Sequence, residues 1–196
     1  MKIYNFFGKI GSRIKNRSLK GFVKNLWIPL VIIVCVIFAD LLTKTIVENN
    51  LTLGQSVVLI PKFLSITYVL NEGAAFSMLE GKRWFLIAVT TVAVLILLLY
   101  LIYDCDKLTV LMKTAIALLI GGAIGNMVDR LAIGAVRDFI EFIYFGLDLP
   151  LLGESFAIFN LADSAVTIGT VLLIIGVIIG HHKKEKQDDK ETALEE

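Results

Sequence analysis

GGAIGNMVDRLAIGAVRDF, residues 121–139, begins as an apolar helix end rich in small residues and then delivers two carboxylates, Asp129 and Asp138. A matching element follows at FNLADSAVTIG, residues 159–169, where Asp163 opens another very apolar segment. A charge at the centre of a membrane helix costs about 2.5–3.5 kcal/mol on insertion scales, so ionisable residues at membrane depth mark function by default. Helix ends that carry aspartates to one membrane edge are therefore the feature from which the rest of the chain is read.

The wider composition agrees with a membrane setting. Of 196 residues, 57% are hydrophobic and 19% charged, and the mean hydropathy of +0.79 lies outside the range of ordinary soluble domains. Apolar runs long enough to cross a hydrocarbon core about 30 Å thick occur four times. They are Leu26–Leu42, Trp84–Tyr103, Leu108–Met127 and Leu161–Gly180, the first carrying Asp40 and the third Lys113. The net charge of +1 says little, but its distribution is informative. Lys2, Lys9, Arg13, Lys15, Arg17, Lys20 and Lys24 precede the first span without an acidic residue, and Lys183, Lys184, Lys186 and Lys190 follow the last. The positive-inside rule then places both termini in the cytoplasm and the connections 43–83 and 128–160 outside. Three regions result: a basic extension (1–25), a four-span unit (26–180) and a charged tail (181–196).

A basic start before an apolar run also resembles a cleaved signal peptide. The run is long for that role, Asp40 interrupts its end, no A-x-A site follows, and Val34 stands before Cys35 where a lipid attachment site needs a small residue. A retained first span is expected. Cys35 and Cys105 are expected to be reduced, because the topology sets them apart.

In the basic extension, Phe6, Phe7, Ile10, Ile14, Leu19 and Phe22 are scattered among the charges. A topology-fixing tail and an amphipathic helix on anionic lipid both fit. Asp40 and Lys44 share a helix face and can pair, as a structural ion pair or in support of a site. Beyond them, residues 51–70 include Gly54, Pro61 and FLSITYVL, whose alternation and β-branched residues predict strands, hence a small extracytoplasmic sheet on the bilayer surface. In NEGAAFSML, residues 71–79, Asn71 stands beside Gly73, Ala74 and Ala75, either as a simple turn or as a place of close backbone approach. Span two has no ionisable residue after Arg83 and reads as a lipid-facing wall.

In span three, Ala117, Gly121 and Gly125 form a stripe that lets helices approach where lipid supplies no hydrophobic drive. If the helix continues, Asn126, Asp129 and Arg130 lie on one face of its last turn. Asp129 with Arg130 forms either a self-satisfied network or part of the chemistry. Arg137, Asp138 and Glu141 fall in a strand or a short interfacial helix, and GLDLPLLGES, between Tyr144 and Ser155, in a covering loop. Asn160 is placed to cap span four, and Asp163 then sits in the first turn, where free amides and the helix dipole favour negative charge. Ala165, Gly169, Gly176 and Gly180 mark a packing face, while His181 and His182 read as punctuation of the tail rather than metal ligands.

This inventory leaves few mechanisms. Both histidines lie at the cytoplasmic end, so an extracytoplasmic Ser-His or Cys-His nucleophile or a histidine metal site lacks its residues, and no phosphate-binding or dinucleotide fingerprint occurs. Two carboxylates that share a site do not both ionise readily: one holds a proton while the other takes one from water, as amide hydrolysis requires. Asp129, Asp138 and Asp163 are all candidates for that pair.

The ordered motifs ADLLTK, NEGAAF, GNMVDR, VRDFI and FNLADSAVTIG, spread over residues 28–180, closely resemble those of the lipoprotein signal peptidases, the bacterial type II signal peptidases. The resemblance implies a four-helix aspartic endopeptidase of the cytoplasmic membrane, with both termini inside and its active site near the outer face. It implies cleavage of diacylglyceryl-modified prolipoproteins before the lipobox cysteine, inhibition by globomycin, and no metal or organic cofactor. Matched motif by motif, Asp138 and Asp163 are the catalytic pair. Asn71, Asn126, Asp129, Arg130 and Asn160 line or orient the site, and Asp40 and Lys44 support it. The chain departs from that pattern at Arg137, where a valine is usual, in a longer 144–155 loop, and in the N-terminal extension.

Two other classes compete. A small transporter would use Asp129, Asp138 and Asp163 as a proton or cation relay, although no charged path crosses the bilayer below Asp163. A membrane assembly or lipid-binding protein would only pack its glycine faces. A monomer without nucleic-acid partners is expected.

Overall fold

The structure is a computed structural model describing residues 19–73, 79–143 and 157–195, with side chains from residue 25 to residue 180 within those limits. The basic segment before Leu19, Ala74 and Ala75, the loop between Tyr144 and Ser155, and the side chains of His181 and His182 lie outside what it describes. The elements in chain order are α1 (Leu19–Asn50), β1 (Ser56–Ile60), β2 (Leu64–Asn71), α2 (Arg83–Asp104), α3 (Val110–Ala132), β3 (Val136–Phe142) and α4 (Leu161–Glu195).

All four helices are long and apolar enough to cross a membrane. Three of them outrun the spans expected from hydropathy, α3 by continuing past Met127 to Ala132. α1 continues past Leu42 to Asn50: Lys44 is fully buried against Asp40 and Asp129, and Glu48, a turn further on and partly exposed, pairs with Arg137. α4 remains helical beyond Gly180 to Glu195, through the segment read from the sequence as a charged tail.

α3 is the hub, packing against α1, α2 and α4. Its small residues serve two neighbours. A Cβ built on Gly121 would lie 2.9 Å from Val36 Cβ, and one on Gly125 would lie 2.6 Å from Asp40 Oδ2, so both face α1. Gly122 faces α4, where a Cβ would come within 2.4 Å of the Ala162 carbonyl oxygen. From the other side, Gly169 and Gly176 of α4 press on Ala115 and Met112, whereas Gly180 meets nothing within 4 Å among the described residues. Without a hydrophobic drive between helices in lipid, such approach is what holds them. Gly122→Ala is expected to push α3 and α4 apart and cost about 1–3 kcal/mol, read as a lower thermal unfolding midpoint in detergent.

The main core cluster joins Ile33 of α1, Val94 and Leu101 of α2, and Ile116, Ala117 and Ile120 of α3. α2 buries only Leu86, Val94 and Leu101, leaving Trp84, Phe85, Ile96 and their neighbours outward, as a lipid-facing wall requires. Cys35 is exposed on α1 and Cys105 buried at the end of α2, and the two are not joined in a disulfide.

At the end of the bundle where α1 and α3 finish and α4 begins lies an antiparallel three-stranded sheet in the order β1-β2-β3. The segment around Asp138, open between strand and interfacial helix on sequence grounds, is its third strand. Gly134, at φ 86°, supplies the left-handed backbone that turns α3 directly into β3. Val47, Tyr68 and Phe139 then seat the sheet on the end of α1.

Candidate active site

Three elements converge on Asp138. β3 carries it, paired opposite Val69 of β2. Asn71 pairs with Val136, one step along the same face, so its side chain is a diagonal neighbour of Asp138. Phe159 then runs beside β3: its carbonyl accepts from the Phe139 and Ile140 amides at 3.0 and 2.7 Å, and its own amide donates to the Ile140 carbonyl at 3.0 Å. That local pairing delivers Asn160 and the first turn of α4 to the same place.

Asn160 is the N-cap of α4. Its Oδ1 accepts from the Asp163 amide at 2.9 Å, and Asp163 Oδ2 accepts in return from the Asn160 amide at 3.2 Å, a reciprocal capping box. The Asn160 Nδ2 is thereby turned outward, donating to Asp138 Oδ1 at 2.6 Å and to Asn126 Oδ1 at 3.0 Å. Asn126 Nδ2 donates to Asp163 Oδ1 at 2.7 Å, and Asn71 Nδ2 donates to Asp138 Oδ2 at 3.0 Å. Asp138 thus receives two side-chain amide donors, and Asp163 one side-chain and one backbone amide. The Asn71 amide is oriented by the Gly73 backbone N–H, which donates to its Oδ1 at 3.0 Å, while Arg130 Nη2 donates to the Gly73 carbonyl at 2.7 Å. Gly73 in NEGAAF is thus a hydrogen-bonding turn position beside the site.

Asp138 is 2% exposed, whereas Asp163 is only partly buried. Burial, and then the charge of the neighbouring Asp163, push Asp138 up from the ordinary 3.8 to about 7, against the opposing hydrogen bonds of Asn71 and Asn160. Both aspartates line one cavity of about 700 Å³ with Asn71, Asn126 and Arg130. Most of the remaining wall is apolar, from Val136, Ile140 and Phe142 of β3 and Val166 and Ile168 of α4, with Ser164 and Thr167 between them, a feature hydropathy did not separate from ordinary core. A buried Nε of Arg130 faces no protein acceptor among the described residues.

Asp129 is brought close but differently employed. It does not pair with Arg130: its Oδ2 accepts from the Arg137 backbone N–H at 3.0 Å, and its Oδ1 from Arg137 Nη2 at 2.5 Å. Lys44 approaches the same carboxylate at 3.3 Å. Arg137 also reaches Glu48 of α1 at 2.6 Å. Strand alternation turns Arg137 away from Asp138, so it closes the α3–β3 turn and leaves the aspartate pair alone. Burial opposes the charge on Arg137, but Asp129 and Glu48 more than compensate and hold its proton more tightly than usual. Glu48 was missed on sequence grounds, although Asp40, Lys44 and Glu48 recur at four-residue spacing on one face of α1.

Asp40 and Lys44 are fully buried and 2.7 Å apart. Asp40 Oδ1 also accepts from the Ala162 amide at 2.9 Å, tying α1 to the first turn of α4. All nine residues expected at the site, Asp40, Lys44, Asn71, Asn126, Asp129, Arg130, Asp138, Asn160 and Asp163, therefore fall in one connected polar cluster at one end of the bundle. Among the described residues no group of three or more His, Cys, Asp or Glu side chains is arranged to hold a metal ion.

Comparison with known proteins bears on this arrangement. Residues 32–179 match the family model described as Signal peptidase (SPase) II. A lipoprotein signal peptidase of Staphylococcus haemolyticus is 39% identical over 158 residues, covering 81% of this chain and 95% of its own. One of Staphylococcus aureus, strain bovine RF122 / ET3-1, is 40% identical over 159 residues, covering 81% and 93%. Two solved structures, each described as a bacterial membrane enzyme structure by the in meso method, superpose with TM-scores of 0.72 and 0.66 at 37% and 38% identity. They cover 81% and 78% of this chain and 92% and 93% of their own. A four-helix membrane protein with a small three-stranded sheet at one end, matched along most of its length in this way, belongs to the signal peptidase II family.

Proposed function

We propose that the chain is an aspartic endopeptidase that removes the signal peptide from diacylglyceryl-modified prolipoproteins by cutting before the lipobox cysteine, with Asp138 and Asp163 as the catalytic pair. The observation that carries this reading is the convergence of the two carboxylates on one cavity, each held by amide donors. Asp138, more deeply buried and pushed up to about 7, holds the proton. Asp163, at the N-terminus of α4, is the carboxylate.

Water, placed between them, attacks the scissile carbonyl carbon as Asp163 takes its proton and Asp138 gives its own to the carbonyl oxygen. The resulting diol collapses: the C–N bond breaks, Asp163 returns its proton to the leaving nitrogen, and Asp138 recovers one from a diol hydroxyl. The apolar wall of the cavity, from Ile140, Phe142, Val166 and Ile168, suits a lipid-bearing substrate and excludes competing water. Asp129, fully engaged by Arg137 and Lys44, supports the site rather than reacting. The basic residues before the first apolar span and after the fourth support cytoplasmic termini, and with them a site near the outer face of the cytoplasmic membrane. The four-span unit is then a peptidase domain that works as a monomer, needs no cofactor, and is open to globomycin-type inhibitors.

The test is cleavage of a diacylglyceryl-modified lipobox precursor by the purified protein. Release of a signal peptide ending just before the modified cysteine, blocked by globomycin, is the expected result. Folded protein that leaves the precursor intact overturns the proposal and makes proton flux in liposomes the next measurement. The pH profile has a definite sign: the active form carries the Asp138 proton, so kcat/KM is expected to fall about tenfold per unit as pH rises above about 7. A profile that climbs from pH 7 to 9 contradicts the assignment.

A further inference from the structure

Lys44 takes no part in the bond-breaking steps above, yet it is fully buried and its ammonium reaches Asp40 Oδ2 at 2.7 Å, Asn126 Oδ1 at 2.9 Å and Asp129 Oδ2 at 3.3 Å. An ammonium has three protons and no lone pair, so whatever faces it must be an acceptor. The Asn126 amide is therefore turned with Oδ1 toward α1 and Nδ2 toward α4, where it donates to Asp163 Oδ1 at 2.7 Å. Asn160 Nδ2, 3.0 Å from the same Asn126 oxygen, enforces the same orientation. Rotating the amide by half a turn would set its NH2 against an ammonium and its carbonyl oxygen against a carboxylate. Both contacts would be repulsive in a site of low dielectric.

Lys44 itself is anchored from both sides. Asp40 holds the ammonium and, through its other oxygen, the Ala162 amide in the turn that carries Asp163. Arg137 meets much of the charge of Asp129, so Lys44 is not drawn wholly to that carboxylate.

We propose that Lys44 is a positioning residue for the aspartate pair: acting through Asn126, it directs an amide donor at Asp163 and so keeps Asp163 as the member that accepts the proton of water. This deepens the peptidase reading and rests on it. The charged groups around Asp163 are Lys44 from α1 behind Asn126, Arg130 from α3 and Asp138 from β3, with Asp40 and Asp129 flanking Lys44. Removing either Lys44 or the Asn126 amide takes support from negative charge on Asp163, so the pair should keep its shared proton to higher pH.

The experiment is a cycle of Asn126→Ala, the charge-neutral Asp40→Asn/Lys44→Met variant, and their combination, in full-length protein in lipid nanodiscs. Two readouts are needed: precursor cleavage, and pH titration of the protonated-carboxyl infrared band identified by its loss in Asp138→Asn. Either change alone is expected to lower kcat about 10²-fold with KM within about threefold, the cost of a misplaced catalytic group. The infrared midpoint should rise by roughly one pH unit, the worth of one charged hydrogen bond. With Asn126 already replaced by alanine, loss of Lys44 should cost no more than about threefold further, because the two act in series. Independent, multiplying effects overturn the proposal, as does an unchanged midpoint in Asn126→Ala, a result that overturns it even if the variants lacking Lys44 do not fold. If wild-type protein fails to cleave, the peptidase reading falls, while the infrared cycle still reports whether Lys44 acts through Asn126.

Discussion

Asp138→Asn and Asp163→Asn are each expected to lower kcat for precursor cleavage by about 10²–10⁴-fold, the range for loss of a positioned acid or base. The substitution keeps the shape of the side chain and removes its capacity to exchange a proton, while turning one acceptor oxygen into an NH2 donor. Substrate affinity, set by the apolar wall of the cavity, should change little. Stability gives an independent check on Asp138. Its carboxyl is held at about 7 against an ordinary 3.8, so the folded state binds that proton more tightly than the unfolded state. The wild-type residue then costs no stability below about pH 4, a growing amount between about pH 4 and 7, and a constant amount above. That gap corresponds to roughly 4 kcal/mol at most, part of which the asparagine variant forfeits by setting its own NH2 against the donors of Asn71 or Asn160. Asp138→Asn is therefore expected to be inactive yet to unfold at a higher temperature than wild type at pH 8, with the advantage gone by pH 4. More than about a tenth of wild-type activity in either variant would remove that aspartate from the pair.

The spans were legible because hydropathy reports directly on what lipid tolerates, and the aspartates because charge near lipid is costly enough to stand out. Their convergence followed from ordered motifs rather than from periodicity, since Asp129, Asp138 and Asp163 are equally conspicuous in composition. What separates them is partners that sequence spacing does not reveal. Asp129 is enclosed by Arg137 across a turn made by Gly134 and by Lys44 from another helix, whereas Asp138 meets Asn160 through the pairing of Phe159 with β3. The length of α1 was misjudged for a related reason. Lys44 looks like the solvated end of a span until its buried partners, Asp40 and Asp129, are known.

Lys44→Met is expected to be the most damaging single change to stability, at about 3–5 kcal/mol, because it leaves buried charge without its partner. Asp129 retains Arg137, but Asp40, with no exposure, is left with the Ala162 amide. Adding Asp40→Asn should recover much of the loss, since the amide oxygen still accepts from Ala162 and no orphaned charge remains. Glu48→Gln touches the same network but should cost less than about 1 kcal/mol, the range for a solvated pair, because Glu48 is 44% exposed. Asp40, Lys44 and Glu48 rise along one helix face over about 12 Å, roughly eight residues at about 1.5 Å each. Thermal unfolding of Lys44→Met, Asp40→Asn/Lys44→Met and Glu48→Gln therefore measures how the worth of one ion-pair network changes with depth. Equal losses for Lys44→Met and Glu48→Gln would mean that water reaches Lys44 and that the buried anchor assigned to it does not exist.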